Sequence, residues 1–336
     1  SLVLLSGIFI YAIKSGRIYK PSIVTMTLLF LLIANVTIRL IFEQNVSYEY
    51  FKVSTLLILL LLVPLVKLDY QNIYTSNFIL TLVLMSVAFF WVTSISIGSS
   101  VRYSSFFVEP SVFASFLYTY YIILNGSFSI QRNTVIFFGL LMANTVGILL
   151  PYMLSILSNF IIKFKNKYGL MVIIFVGVYV MYLITHERFL FLLDLVNGGI
   201  NIESKLDYKE IYGDDNLGAR FRVIHWLNII SEISISNIYH ILLGQPDSFY
   251  SLVGDDHKPH NDYISVMVSN GAFGLFTFLY ILYMMYKNAF LEDRIKVIFL
   301  CLSIGVTNFI GTMVLILAIS IILHSRSATL HNKQQQ

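Results

Sequence analysis

One cysteine, Cys301, is all the sulfur chemistry that 336 residues offer beyond methionine. That scarcity excludes a disulfide framework and any cysteine-based metal site. Charge is scarce too: 12% of the residues are charged, about half the share in soluble domains. No P-loop, GxSxG, CxxC or HExxH pattern occurs, which removes the commonest nucleotide, serine-hydrolase, redox and zinc-protease chemistries. Basic residues nowhere reach the density that nucleic acid requires. His257 and His260, with Asp256 and Asp262 nearby, form too common a pattern to indicate zinc. No internal repeat is evident.

Apolar residues fill the space: 57% of the chain, with a mean hydropathy of +0.78. The expected fold class is an all-α polytopic integral membrane protein. Residues 1–324 form a single transmembrane domain and 325–336 a short disordered tail. Apolar runs cover 1–13 (incomplete), 22–42, 54–68, 77–98, 111–125, 134–164, 168–185, 264–286 and 297–323. The chain opens inside an apolar stretch, so a trimmed first helix is expected rather than a signal peptide. Run 134–164 exceeds the length of one untilted crossing, and Pro151 invites a kink or a break into two short helices. The expectation is about 9–11 spans.

The net charge of +4 conceals a segregation. Residues 187–259 carry eleven acidic and six basic side chains, which is −5, and the rest of the chain is +9. Lys14, Arg17 and Lys20, and then Lys163, Lys165 and Lys167, mark cytoplasmic ends. The 187–259 loop is therefore extracytoplasmic, provided that 134–164 forms a hairpin or re-entrant pair. The 102–109 connection falls on the same outer side. Within the loop, 228–238 has the spacing of a surface helix and 244–254 is turn-rich.

Three groups can carry chemistry. Arg102 and Glu109-Pro110-Ser111 set a base and an acid at the mouth of a helix, which equally describes a helix start with a local ion pair. Arg220-Phe221-Arg222, followed by Trp226, can grip a phosphate or diphosphate. It can also be an interfacial helix anchored by Trp226. His260 opens the run His260-Asn261-Asp262-Tyr263 and has the pKa of a general base or proton shuttle. The alternative is a cap histidine, with Asn261 or Asp262 as the N-cap and Gly271 and Gly274 allowing close helix packing.

Taken in order, Arg102, Glu109-Pro110-Ser111 with Ala114, Arg220 or Arg222 with Trp226, Leu243-Gly244, and His260-Asn261-Asp262-Tyr263 with Gly271 and Gly274 resemble the bacterial O-antigen polymerase and O-antigen ligase family. The resemblance spans about the last two thirds of the chain, and His-x10-Gly is its most specific element. It implies a metal-independent, inverting glycosyltransferase without cofactors in the bacterial cytoplasmic membrane. Such an enzyme takes glycan from undecaprenyl diphosphate at the outer membrane face. By the same resemblance His260 is the acceptor base or orienter. Arg220 or Arg222, with Arg102, binds diphosphate. Glu109 is a second base or an ion-pair partner, and Pro110, Gly244, Asn261, Tyr263, Gly271 and Gly274 are structural. The Glu-Pro-Ser element favours polymerase over ligase. Expected partners are the lipid-linked oligosaccharide, membrane lipids, and a chain-length regulator and flippase of the same pathway. The competing classes are a secondary transporter, such as a lipid-linked glycan flippase, and a non-catalytic partner in polysaccharide assembly.

Overall fold

A computed structural model describes residues 21–43, 46–62, 77–97, 100–105, 107, 110–123, 130–143, 145–163, 225–245 (except 228, 231, 234 and 235), 261–289 and 291–305. The apolar runs 1–13 and 168–185, the tail 325–336 and most of the 187–259 loop lie outside the described residues.

The first described helix, α1 (Ile23–Phe42), begins where the Ser22 side chain accepts from the Thr25 amide. Its buried face is Thr25, Leu28, Leu32, Asn35 and Arg39, at helical spacing. Its outer face carries Ile23, Phe30, Ile38, Ile41 and Phe42, with Phe30 71% exposed and Arg39 only 6%. A helix on a protein in water does the reverse. Polar residues facing the bundle and apolar ones facing out is the arrangement that lipid favours.

After α1 come α2 (Tyr48–Leu62) and α3 (Asn77–Ala88). The expectation of one apolar span over 77–98 is corrected here: α3 stops at Ala88, and a short 3-10 turn at Phe90–Val92 leads into a β-hairpin. Strands β1 (Ser94–Ile97) and β2 (Ser100–Tyr103) pair antiparallel, with Ile95 opposite Arg102 and Ile97 opposite Ser100. The physical reason is local, since Ser-Ile-Ser-Ile alternates with the period of a strand. Among the described residues, the all-α expectation therefore holds except for this hairpin. It is tied back to the bundle by Ser105, whose Oγ donates to the Ser86 carbonyl at 2.6 Å.

Two further helices, α4 (Pro110–Ile123) and α5 (Ile130–Ala143), precede α6 (Val146–Lys163). Run 134–164 is thus covered by two helices, but the break is not at Pro151. Pro151 lies inside α6. The chain interrupts before Thr145, whose carbonyl accepts from the amides of Ile148 and Leu149 and starts the new helix. The Thr145 hydroxyl donates to the Ala143 carbonyl at 3.1 Å, a local side-chain bond that competes with the helical ladder. Pro151 is close enough to the start of α6 to remove only one hydrogen bond.

Described parts of the long loop are helical, as expected: 225–227, 229–230 and 232–233, then α7 (Ile238–Leu243). The surface helix expected over 228–238 ends earlier, because Asn237 leaves the helix and caps α7 by accepting from the Tyr239 amide. Finally α8 (Asp262–Asn288) and α9 (Leu291–Ile304) follow. The span expected over 297–323 starts before residue 297, at Leu291.

The core joins most of these helices. Leu32, Leu56, Leu57, Leu60, Phe113, Leu117, Tyr118, Leu140, Tyr152, Phe278 and Leu300 are fully or almost fully buried. Helix α8 packs against α2, α7 and α9, while α6 packs against α4 and α9. Among the described residues, α1 and α8 are long and apolar enough to cross a membrane. Shorter apolar stretches run through Tyr50–Leu62, Asn133–Ala143 and Gly147–Ser158.

Candidate functional site: a broken helix clamped by a turn

Helix α8 begins at an Asn261 cap. The Asn261 Oδ1 accepts from the amides of Tyr263 and Ile264, at 3.0 and 3.2 Å. Of the two caps the sequence allowed, Asn261 is the one used, and Asp262 is the first helical residue, fully buried. Nine residues into α8 the backbone breaks: Gly271 has φ 65° and ψ −166°. An apolar stretch that reads as one helix is therefore two halves, 262–270 and 272–288.

The break is filled by the turn that ends α7. Gly244 has φ 83° and is buried. A Cβ on Gly244 would lie 2.5 Å from the Asn270 nitrogen, and nearer still to the Ser269 carbonyl. A Cβ on Gly271 would lie 2.5 Å from the Gly244 nitrogen and would strike the Leu242 carbonyl. Backbone meets backbone here, and only glycine permits both the distance and the torsion angles. The Gln245 amide then donates to the Val268 carbonyl at 2.8 Å, using one of the carbonyls that the break takes out of the helical ladder.

Around this junction sits a polar cluster. The Arg39 guanidinium donates to the Leu243 and Gly244 carbonyls at 3.1 and 2.6 Å. It also donates to Asn35 Oδ1 at 3.3 Å and to both Glu43 oxygens at 3.0 and 3.1 Å. The Tyr50 ring lies 5.4 Å from its central carbon. From the other side, Asn270 Nδ2 donates to Ser54 Oγ at 2.7 Å and links the break to α2. Three buried atoms of this cluster have no hydrogen-bond partner: Asn35 Nδ2, Tyr50 Oη and Asn270 Oδ1.

The first half of α8 is covered by the loop helix. Ile229 and Ile233 pack with Ile264 and Val268, and Trp226, Ile241 and Met267 close the cluster. Tyr263 holds the opposite side, its hydroxyl donating to the Cys301 carbonyl at 2.8 Å. Gly274 lies directly after the break, buried, in line with Asn270 and Val266.

Of the residues singled out in the sequence, Gly244, Asn261, Tyr263, Gly271 and Gly274 belong to this one assembly. Pro110 starts α4 and is buried, as a first-position proline should be. Arg102 lies on β2 opposite Ile95, and β2 packs against α5 and the 3-10 turn. His260, Glu109, Arg220 and Arg222 lie outside the described residues. Arg39 and Asn270 escaped the sequence reading. A signal for Arg39 was present: an arginine inside the apolar run 22–42, with a carboxylate one turn later, is costly unless it has a partner.

No protein-family model matches the chain, and no curated protein does.

Proposed function

We propose that this chain is a polytopic glycosyltransferase of the bacterial cytoplasmic membrane. It polymerises undecaprenyl-diphosphate-linked oligosaccharide repeats at the outer face, into O-antigen, capsular polysaccharide or exopolysaccharide. The observation that carries this reading is the Gly244–Gly271 junction. Both glycines were picked out by the resemblance to polymerases and ligases from separate stretches of sequence, and their backbones interlock. Asn261, the cap of the locked half-helix, directly follows His260 in the chain.

Other features support the membrane part of the reading. The inside-out face of α1 suits lipid. Separate α5 and α6 fit the extra crossing that the charge pattern needs if Lys163 is inside and the acidic loop outside. In this topology Arg39, Glu43, Tyr50, Gly244 and Asn261 all fall at the outer ends of their elements. At the inner end, Ser22 and Thr25 meet the Tyr280 hydroxyl at 3.3 and 3.2 Å. Helices α2, α3 with the 3-10 turn that follows it, α4, α5, α6 and α9 are further crossings, and residues 1–324 are one domain.

The chemistry is a displacement at an anomeric carbon. The acceptor hydroxyl attacks, His260 takes its proton, the bond to the diphosphate oxygen breaks, and undecaprenyl diphosphate leaves with the electron pair. Arg102 with Arg220 or Arg222 neutralises the charge that develops on the leaving group. Glu109 is the alternative base. The chain-length regulator and flippase expected from the sequence would act on either side of this step.

A broken apolar helix also favours a second reading, a carrier for lipid-linked glycan, because transporters form substrate sites at discontinuous helices. One comparison separates the two. Purified protein receives lipid-linked repeat units without metal or nucleotide sugar, and the products are sized. Polymer from wild type that is lost in His260→Ala and in Arg222→Ala or Arg220→Ala supports the enzyme. Transport across vesicles without lengthening supports the carrier. Transfer of finished polymer to lipid A core, with no lengthening, identifies a ligase.

A further inference from the structure

We infer that Arg39 is a positioning residue for the proposed transfer: it holds the Gly244 turn in the α8 break and so fixes the half-helix that starts at Asn261. This inference rests on the glycosyl-transfer reading above. Arg39 is 6% exposed on an apolar helix, where a guanidinium is costly and persists only with partners. Its partners leave it nothing to offer a diphosphate. The Nε goes to Asn35, one terminal nitrogen to Glu43, and the other to the Leu243 and Gly244 carbonyls. Arg39 is therefore a cross-link, unlike the arginines assigned to the donor.

What it cross-links gives it a role in the reaction. Leu243 and Gly244 close α7, where the last carbonyls carry the negative end of the helix dipole and favour a cation. Gly244 abuts the backbone of Ser269 and Asn270, and Gln245 bonds to Val268. From the Arg39 fork to the first half of α8 there is one layer of backbone and no flexible side chain. The half-helix is capped at its start by Asn261, which directly follows His260 in the chain. Releasing the turn frees the half-helix to shift along its axis. An ammonium is a point donor and does not reproduce the planar fork, so lysine is not an equivalent replacement.

The test uses the full chain in nanodiscs, with lipid-linked repeats as donor and acceptor, and kinetics normalised to folded protein. Expected is a fall in kcat of about 100-fold in Arg39→Met and about tenfold in Arg39→Lys, the scale of a reacting group displaced by about 1 Å. The donor KM stays within about twofold, as a loss confined to the transition state requires. Amide hydrogen exchange at Gly244 and Gln245 accelerates in both variants, a readout independent of turnover. If Arg39→Met does not fold, Arg39→Lys carries the test. Wild-type kcat with unaltered exchange in folded Arg39→Lys overturns the positioning role, as does a raised donor KM at unchanged kcat. Wild-type protein that makes no polymer overturns the transfer reading instead, and the exchange data then still report on the cross-link.

Discussion

Gly271 faces Gly244 so closely that a Cβ on the first would stand 2.5 Å from the nitrogen of the second. The contact is between two main chains, which have no rotamers to yield. It makes the helix break a fixed feature of the packing, stabilised by a turn from a distant part of the chain.

Gly271→Ala should therefore be severe. Its φ of 65° with ψ of −166° belongs to a region used almost only by glycine, where other residues cost about 1–3 kcal/mol in strain. The clash with the Leu242 carbonyl adds to that. Gly139→Ala is the comparison: its Cβ would meet side-chain atoms of Leu117 and Val87 and no backbone, at a glycine without a positive φ. Thermal unfolding in detergent should show a much larger loss for Gly271→Ala. Equal losses would mean that the two main chains are not locked together.

The Asn270–Ser54 bond, 2.7 Å and buried, gives a second measurable quantity. Interhelical hydrogen bonds in membrane proteins average about 0.6 kcal/mol, with a maximum of about 1.7 kcal/mol. A double-mutant cycle of Asn270→Ala and Ser54→Ala, read by unfolding in mixed detergent, should return a coupling in that range. A coupling of zero would remove the link between the break and α2.

How much of this assembly was legible follows from which signals are local. Asn261 as a cap, Pro110 as a helix start and Gly244 as a turn are local choices of backbone chemistry, and the sequence showed them. Gly271 was legible only as a small residue allowing close packing. Its break was hidden because Ile264 to Tyr286 reads as uninterrupted apolar sequence, and the turn that fills the gap comes from elsewhere. The β-hairpin was masked for a related reason: averaged over a window, Ser-Ile-Ser-Ile counts as apolar, although its alternation points to a strand. Pro151 misled in the opposite direction, since position within a helix decides whether proline breaks it. Arg39 was overlooked although Glu43 stands one turn away, because the Leu243 and Gly244 carbonyls it also binds come from a distant part of the chain.

Asn261 offers a graded test of the cap. Its Oδ1 satisfies two amides that otherwise have no helical partner. Asn261→Ala should cost about 1 kcal/mol, and Asn261→Asp much less, because aspartate caps as well as asparagine. Thermal unfolding should rank the variants as wild type, then Asp, then Ala, and polymer yield should follow the same order. Asp and Ala variants equally unstable would show that the amide hydrogens, and not the oxygen, matter at this position.

The topology can be tested without any substrate. In the proposed arrangement Val46 and Tyr239 lie at the outer face and Lys287 at the inner one. Tyr239 is 68% exposed, and Lys287 is exposed near the end of α8. With Cys301→Ala removing the only native thiol, single cysteines at these positions report their side through a membrane-impermeant maleimide. Val46→Cys and Tyr239→Cys should label in intact cells, and Lys287→Cys only after permeabilisation. The two outer sites test different claims. Val46 follows α1, whose polar inward face argues for a crossing, whereas Tyr239 belongs to the loop placed outside by its acidic charge. Labelling of Val46→Cys without Tyr239→Cys would preserve α1 as a span and move the loop to the cytoplasm. His260 would then lie away from any lipid-linked donor at the outer face, and the transfer mechanism would fail with it.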